Sequence, residues 1–300
     1  MSRCHRICGY LIRGHRIWGG ALAAVIVGVL APLGSLCAAV STADDRIALS
    51  ANGSSLTNTG GGGGGSLGWL HNFDADTLIG VAGEYQALSV SHWRFGSLNG
   101  SITRGPGDQR YTLYGEIHEG SGHDGRVPFD YHVEALGVTG TYFHQLSATL
   151  EDKQVNVEST SGNLPKVQLA YLWNPRVLTT VSYQHSFGGN LGTRLTTARI
   201  DLYAGTWSFL AGGAIGQASP SVLGINLTLG PHDLREGYLG VVKPIPKLRG
   251  ELTLIVDYQR LSGGGGSIGV GEGTTVILPN VSNRWTGTLS YVFHVGHHGT

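Results

Sequence analysis

The strongest constraint on this chain is the two-residue alternation of its last strand-like run, residues 284–293. Its apolar and aromatic positions are Trp285, Gly287, Leu289, Tyr291 and Phe293, and the positions between them are Arg284, Thr286, Thr288, Ser290 and Val292. Side chains of a strand point alternately to opposite faces, so this strand has one apolar face and one mostly polar face. Such a strand suits a sheet with lipid on one side and a wet lumen on the other.

The same alternation recurs along most of the chain, over residues 79–87, 111–118, 167–173, 198–203 and 251–259. Compact turn signals, such as Asn174-Pro175 and Gly205-Thr206, separate intervals that each hold two strands and one polar or glycine-rich loop. Seven such hairpins predict 14 antiparallel strands, with 12 as the alternative because residues 54–65 and 220–230 are ambiguous. An even number of strands, with short turns at one end and longer loops at the other, is typical of bacterial outer-membrane barrels. We expect the loops to include residues 60–65, 120–128, 188–192 and 219–233.

Composition supports this class of protein. Charged residues are only 13% of the chain, about half of the usual ~25%. Glycine accounts for 49 of the 300 residues, more than double its usual share of ~7%. No stretch beyond the first 43 residues approaches the ~20 apolar residues of a spanning helix. We therefore expect an all-β protein whose outer surface excludes charge.

The first 43 residues read as a secretory signal peptide. A basic segment is followed by an apolar run over residues 21–30 and by the small residues Ser41-Thr42-Ala43, which predicts cleavage near Ala43. The barrel then occupies residues 44–300. All three cysteines precede this boundary, which excludes a disulfide framework from the mature protein. Residues 44–300 contain no basic patch, so we expect no nucleic-acid partner.

Aromatic residues gather beside the predicted short turns. They are Phe73, Phe143, Trp173, Tyr203, Trp207 and Phe293. Tryptophan and tyrosine prefer the boundary between hydrocarbon and water, so this set predicts the periplasmic aromatic girdle of a barrel.

Charged side chains on the predicted inner faces are the candidate lumen lining. They are Glu84, Glu116, His118, Glu134, Arg199, Asp201, Asp257 and Arg284. Buried charges need partners or water, which leaves two interpretations. Acids and bases pair across a narrow lumen and seal it, or they line an aqueous path for a polar solute or glycan.

Catalytic patterns are weak. No histidine has a serine two residues later, the spacing with which barrel lipases place a base beside its nucleophile. The acidic and His-Asp dipeptides that a barrel protease would use (residues 44–45, 123–124 and 232–233) arise easily by chance. His294, His297 and His298 have no acidic or cysteine partner nearby and read as a solvated tail. We predict no catalytic residue, no metal site and no cofactor.

From Asn174 onward the chain resembles the YaiO-type outer-membrane barrels. The matching stretches are residues 175–183, 201–205, 240–245 and 289–293. The resemblance implies an outer-membrane barrel without assigned catalytic residues. Because relatives of this kind often accompany polysaccharide-secretion machinery, it also implies a link to polysaccharide export.

The sequence thus predicts a monomeric β-barrel in the outer membrane of a Gram-negative cell, acting as a passive pore or envelope component. The alternatives are an outer-membrane hydrolase of lipid or peptide and a structural or adhesive surface barrel. The expected partners are outer-membrane lipid, lipopolysaccharide, polysaccharide and the barrel-assembly machinery. Terminal strands of assembled barrels carry an aromatic pattern like Trp285, Leu289, Tyr291 and Phe293, which are therefore the candidate assembly signal.

Overall fold

The computed structural model describes residues 44–295, apart from 57–59, 75, 89–90, 107–108, 125–126, 158–159, 219–231, 264–266, 270–274 and 278–280. The predicted signal peptide lies outside the described residues. The strands are β1 (Asp44–Leu56), β2 (Gly60–Asn72), β3 (Thr77–Leu88), β4 (Ser91–Arg104), β5 (Gln109–Asp124), β6 (Val127–Tyr142), β7 (Leu146–Val157), β8 (Thr160–Asn163), β9 (Lys166–Asn174), β10 (Val177–His185), β11 (Arg194–Ala204), β12 (Trp207–Ala218), β13 (His232–Ile245), β14 (Gly250–Ser262), β15 (Ser267–Gly269), β16 (Thr275–Ile277) and β17 (Val281–His294). A single 3-10 turn, Pro246–Leu248, precedes β14.

Fourteen of these strands form one closed antiparallel barrel. Each pairs with its neighbour along the chain, and β17 closes the sheet by pairing with β1 from Arg46↔His294 to Leu56↔Arg284. The other three strands lie in connections, because β8 pairs only with β7 and β15 pairs only with β16. The predicted 14-stranded barrel is therefore confirmed. In the part of the chain that the structure describes, no helix is long and apolar enough to cross a membrane.

The two ends of the barrel differ. At one end, here called the short-turn end, successive hairpins are joined by short turns at the positions that the sequence predicted. At the opposite end, the loop end, longer connections follow β7, β10, β12 and β14. By the usual plan of such barrels, the short-turn end is periplasmic and the loop end is extracellular.

Two predicted loops are wrong. Residues 60–65 lie within β2, and residues 120–128 are mostly taken up by β5 and β6. The glycine run forms a strand at a place where β2 and β3 approach closely, since a Cβ on Gly64 would lie 2.3 Å from the carbonyl oxygen of Tyr85. Glycine, which has no side chain, can adopt this extended conformation where any larger residue would clash. The predicted loop 188–192 is confirmed, and residues 219–231 of the predicted loop 219–233 lie outside the described residues.

The outer surface carries an apolar belt of exposed side chains on every barrel strand. Its members include Leu49, Leu67, Val81, Leu98, Leu113, Leu136, Leu150, Leu169, Val181, Ile200, Phe209, Leu239, Leu254 and Leu289. Phe73, Phe143, Trp173 and Trp207 lie exposed at the short-turn end, as predicted for a girdle. Tyr203 does not belong to this girdle, because it points into the lumen and packs with Leu172 and Leu178.

The final strand has the two faces that its sequence predicted. Trp285 and Leu289 are exposed on the outer face, whereas Arg284 and Ser290 are buried on the inner face. Beyond the strand, the Val295 N–H donates to the Asp45 carbonyl oxygen at 2.7 Å. The end of β17 is therefore tied to the start of β1 at the seam of the barrel.

Candidate functional site

The lumen wall is the candidate site, and seven of the predicted lining residues lie on it. They are Glu84, Glu116, His118, Arg199, Asp201, Asp257 and Arg284. Each occupies an inward position of a strand whose alternate residues face outward, and their side chains are largely withdrawn from solvent. The lumen is therefore narrow at these positions.

Glu134 is the exception, and its prediction as a lumen residue is wrong. It lies exposed on the outer face of β6, where its carboxylate is 3.1 Å from Nε2 of His132. The inward positions on either side are Val133 and Ala135, both buried. The small and branched apolar residues of β6 fill the lumen wall here, so the alternation places the acid outside.

One wall of the lumen carries a connected network of charges from β5, β7 and β9. Lys166 Nζ lies 2.9 Å from Glu151 Oε1, and the Tyr114 hydroxyl donates to the other oxygen of Glu151 at 2.5 Å. Lys153 Nζ lies 3.5 Å from Glu116 Oε1. Each acid of this network has a basic or hydroxyl partner, so it holds neighbouring strands together.

Two further polar pairs form within single strands. Arg199 and Asp201 are neighbours on the inner face of β11, and the guanidinium donates from Nε to Asp201 Oδ1 at 2.9 Å. On β3, the Gln86 amide donates to Glu84 Oε1 at 2.9 Å. These charges bind partners on their own strand instead of reaching across the lumen.

A fourth group, on β13, β14 and β17, contains several buried polar atoms that have no hydrogen-bond partner among the described residues. Arg284 is 1% exposed, and none of its three guanidinium nitrogens has a hydrogen-bond partner among the described residues. Its register partner Gln259 is 0% exposed and interacts with Glu236 on the neighbouring strand. Asp257 and Thr286 are the register partners one step closer to the middle of the barrel. Asp257 Oδ1 and Thr286 Oγ1 are also buried with no hydrogen-bond partner in the part of the chain that the structure describes. Leaving buried polar groups unpaired is costly, so this group is suited to water or to a polar part of a solute.

The charges nearest to Arg284 are acidic. Glu236, on the inner face of β13, and Asp257 both interact electrostatically with the guanidinium. The group therefore offers hydrogen-bond donors from Arg284 and acceptors from the two carboxylates. A neutral polar group that both donates and accepts, such as a hydroxyl, fits this arrangement better than a simple anion does.

Towards the loop end, the lumen wall carries two apolar clusters. One cluster, on β4, β6 and β7, consists of Trp93, Phe95, Phe129, Val133, Val155 and Val157, and Leu191 from the β10–β11 connection packs into it. A second cluster, on β11 to β14, consists of Leu195, Ala214, Ala218, Leu234 and Leu261. From the loop end towards the middle of the barrel, the inner face of β14 carries Leu261, Gln259 and Asp257 in turn. The apolar mouth therefore adjoins this polar group directly.

Several lining residues were missed from the sequence. They are Glu151, Lys153, Lys166, Glu236 and Gln259. The alternation of β7 carries a usable signal, since Ser147, Thr149, Glu151 and Lys153 share one face. On β13 the signal is ambiguous, because both faces mix charged and apolar residues.

The structure does not assemble the hydrolase candidates. His232 is buried in the lumen, whereas Asp233 points outward, and the ring of His123 stacks on His92 at 5.2 Å between centroids. Asp45 contacts His71 Nδ1 at 2.8 Å, on the outer face near the short-turn end. Among the described residues, no three potential ligands could hold a metal ion together. Of the C-terminal histidines, His297 and His298 lie outside the described residues.

Comparison with solved structures identifies the same architecture in outer-membrane proteins. A Pseudomonas aeruginosa FadL homologue superimposes with a TM-score of 0.54 at 9% identity, covering 93% of this chain and 99% of its own. The Pseudomonas putida toluene transporter TodX gives 0.52 at 11% identity, with 96% of each chain covered. The monoaromatic hydrocarbon channel CymD gives 0.54 at 9% identity, over 85% of this chain and 89% of its own. At these identities the likeness concerns the fold, which is that of outer-membrane β-barrels.

No family model matches the chain, and no curated protein matches it in sequence. The resemblance to the YaiO-type barrels therefore stays a prediction.

Proposed function

We propose that this protein is a narrow outer-membrane channel for small, largely apolar solutes that carry a polar group. The observation that carries the proposal is the apolar lining at the loop end of the lumen. The interior of a water-filled porin is polar along its length, so clusters of Trp93 and Phe95 on one side and Leu234 and Leu261 on the other would hinder ions and sugars. The belt of exposed apolar side chains suits the location in a membrane.

The order of the lining suggests how a solute would move. An apolar solute leaves water at the mouth, where it contacts aromatic and aliphatic side chains. Its polar group then meets Arg284, Gln259 and Asp257, which lie next to Leu261 on the side towards the middle of the barrel. Binding sites of this kind combine an apolar wall with a few placed polar groups.

The buried state of the inner side chains argues for low ion conductance. Thr180, Thr197 and Thr253, on three different strands, are each buried on the inner face. An ion that entered this narrow lumen through the apolar mouth would lose hydrating water, and the side chains of the mouth would not replace it. Two proteins with this fold, the toluene transporter TodX and the monoaromatic hydrocarbon channel CymD, agree with an apolar solute. The polysaccharide-export hypothesis is less favoured, because a hydroxyl-rich chain would have to cross that mouth.

Uptake into vesicles tests the proposal. Purified barrel in lipid vesicles is expected to admit a phenol faster than protein-free vesicles do, and to leave a neutral oligosaccharide outside. Leu261→Ser should slow phenol entry, because it makes the apolar mouth polar. The matched control is Ile255→Ser, on the same face of β14 but closer to the short-turn end than the mouth is. Ile255 packs there with Leu210 and Tyr238.

Planar-bilayer recording gives an independent check. We expect no steady single-channel steps from the wild-type barrel in simple salt. Steady steps, together with oligosaccharide entry, would contradict the proposal and support an aqueous path. Equal phenol entry with and without protein would leave a structural or adhesive barrel as the better hypothesis.

A further inference from the structure

Two arginines on the outer face of the barrel form a pair of like charges with no ion-pair partner among the described residues, and the exposed Asp233 lies two residues from Arg235 on the same face. Arg235 on β13 and Arg260 on β14 are register partners, and both side chains are exposed. Neither makes an ion pair with any of the described residues. Like charges directly opposite each other destabilise a strand pair, so an anion bound between them would remove a repulsion.

The residues next to this pair are ordered as the layers of a membrane leaflet are. One step towards the middle of the barrel, Tyr258 and Trp285 are register partners whose rings lie 4.7 Å apart. The Tyr258 hydroxyl donates to Asn283 at 2.9 Å. Further along the same outer faces come Val256, Leu254 and Leu239, all exposed. Charge, then aromatic rings, then aliphatic side chains is the sequence of environments from headgroup to acyl chain.

We propose that Arg235 and Arg260 bind a phosphate group of an outer-leaflet lipid, whose acyl chains lie along the apolar strip below Tyr258 and Trp285. The guanidinium group is planar and donates two parallel hydrogen bonds, a geometry that matches phosphate oxygens. The site is at the loop end, which faces the outer leaflet in the usual orientation. The proposal depends on the outer-membrane location and not on the channel activity.

A second copy of the chain is the other anionic partner to consider. The exposed acids Glu119, Glu134 and Asp152 lie on the outer face of β5 to β7. A lipid is favoured because the arginines continue into an aromatic and aliphatic strip, which an acidic patch would not cover.

Native mass spectrometry of barrel extracted from outer membranes in mild detergent tests the site. The probe is diphosphorylated lipid A, added to delipidated protein. We expect the wild type to retain it and the Arg235→Gln/Arg260→Gln double variant to bind it about tenfold more weakly, since each lost charge-assisted hydrogen bond lowers affinity. The matched control is Arg104→Gln, an exposed arginine on the outer face of β4 at the short-turn end, which should bind as the wild type does.

Three outcomes would overturn the proposal. The first is a folded double variant that binds lipid A as strongly as the wild type. The second is equal binding of dephosphorylated lipid A, which would show that the site does not recognise the phosphate. Displacement of lipid A by inorganic phosphate at comparable concentration would equally count against the proposal, because it would show that the site does not recognise the lipid. The third is a wild-type dimer that the double variant loses, which would assign the arginines to a second copy. Gel mobility before and after heating confirms folding, and the two single Gln variants replace the double one if it does not fold.

Discussion

Replacing Lys166 with methionine should destabilise the barrel by breaking the charge network on β5, β7 and β9. Lys166 Nζ lies 2.9 Å from Glu151 Oε1, and the two side chains are only 8% and 10% exposed. Removing one partner of a buried ion pair costs about 3–5 kcal/mol, because the other charge stays buried. The Tyr114 hydroxyl still donates to Glu151, so we expect Lys166→Met to lower the free energy of unfolding by about 3 kcal/mol, at the lower end of that range.

The double variant Lys166→Met/Glu151→Gln separates charge burial from loss of packing. It removes both charges and keeps a hydrogen-bonding side chain beside Tyr114, so it should recover at least about 1 kcal/mol of the loss. Urea unfolding in lipid vesicles, followed by tryptophan fluorescence, measures all three proteins. The control is Lys243→Met. The Lys243 ammonium lies 4.2 Å from the centroid of the Trp207 ring, and its loss should lower the free energy of unfolding by about 1 kcal/mol or less.

Stability of Lys166→Met equal to that of the wild type would refute the reasoning. So would a double variant less stable than the single one, since that would mean that the two side chains act separately. Either result would remove the argument that the charges on this wall are structural.

Two further predictions concern the ends of the strands. Phe293→Ala should reduce the amount of folded protein in the outer membrane more than deletion of residues 295–300 does, and a greater loss on deletion would contradict the assembly-signal hypothesis. In the β2–β3 turn, the Asp76 N–H donates to Asp74 Oδ1 at 2.7 Å, and this bond lowers the pKa of Asp74 below its usual 3.8. A lowered pKa stabilises the fold above 3.8 and stops doing so as the pH falls through the folded value. Asp74→Ala should therefore unfold more easily than the wild type at neutral pH, and the difference should disappear as the pH falls below the folded value. An Asp74→Ala defect that persists at low pH would show that the effect is not electrostatic.

The architecture was predictable because one signal recurs throughout the chain. Strand alternation and turn residues act locally, so each hairpin can be recognised without knowledge of the others. The short turns at Asn174-Pro175 and Gly205-Thr206 are where the sequence places them, and the count of 14 strands follows from them. The faces of β17 were predictable for the same reason.

What failed depends on non-local information. Glu134 was assigned to the wrong face, because a polar residue on one strand can face lipid near the interface. Tyr203 was placed in the girdle because it lies beside a turn, although it shares the inner face of β11 with Arg199 and Asp201. The partners of the inner charges were also out of reach. Lys166 meets Glu151 only because β7 and β9 pair directly, around the short strand β8. Register of this kind is set by the whole sheet.

The inner charges divide into two kinds, and this division bears on the choice between a sealed and an open lumen. On the wall formed by β5, β7 and β9, acids and bases are paired, so those residues have little hydrogen-bonding capacity left for a solute. On the wall formed by β13, β14 and β17, the buried Arg284 guanidinium lies near two acids but donates no hydrogen bond to any described residue. A fold keeps costly unpaired groups where something else satisfies them, and that is water or a ligand. Both interpretations of the sequence are therefore needed, because one wall holds the barrel together and the other offers the contact that a passing solute requires.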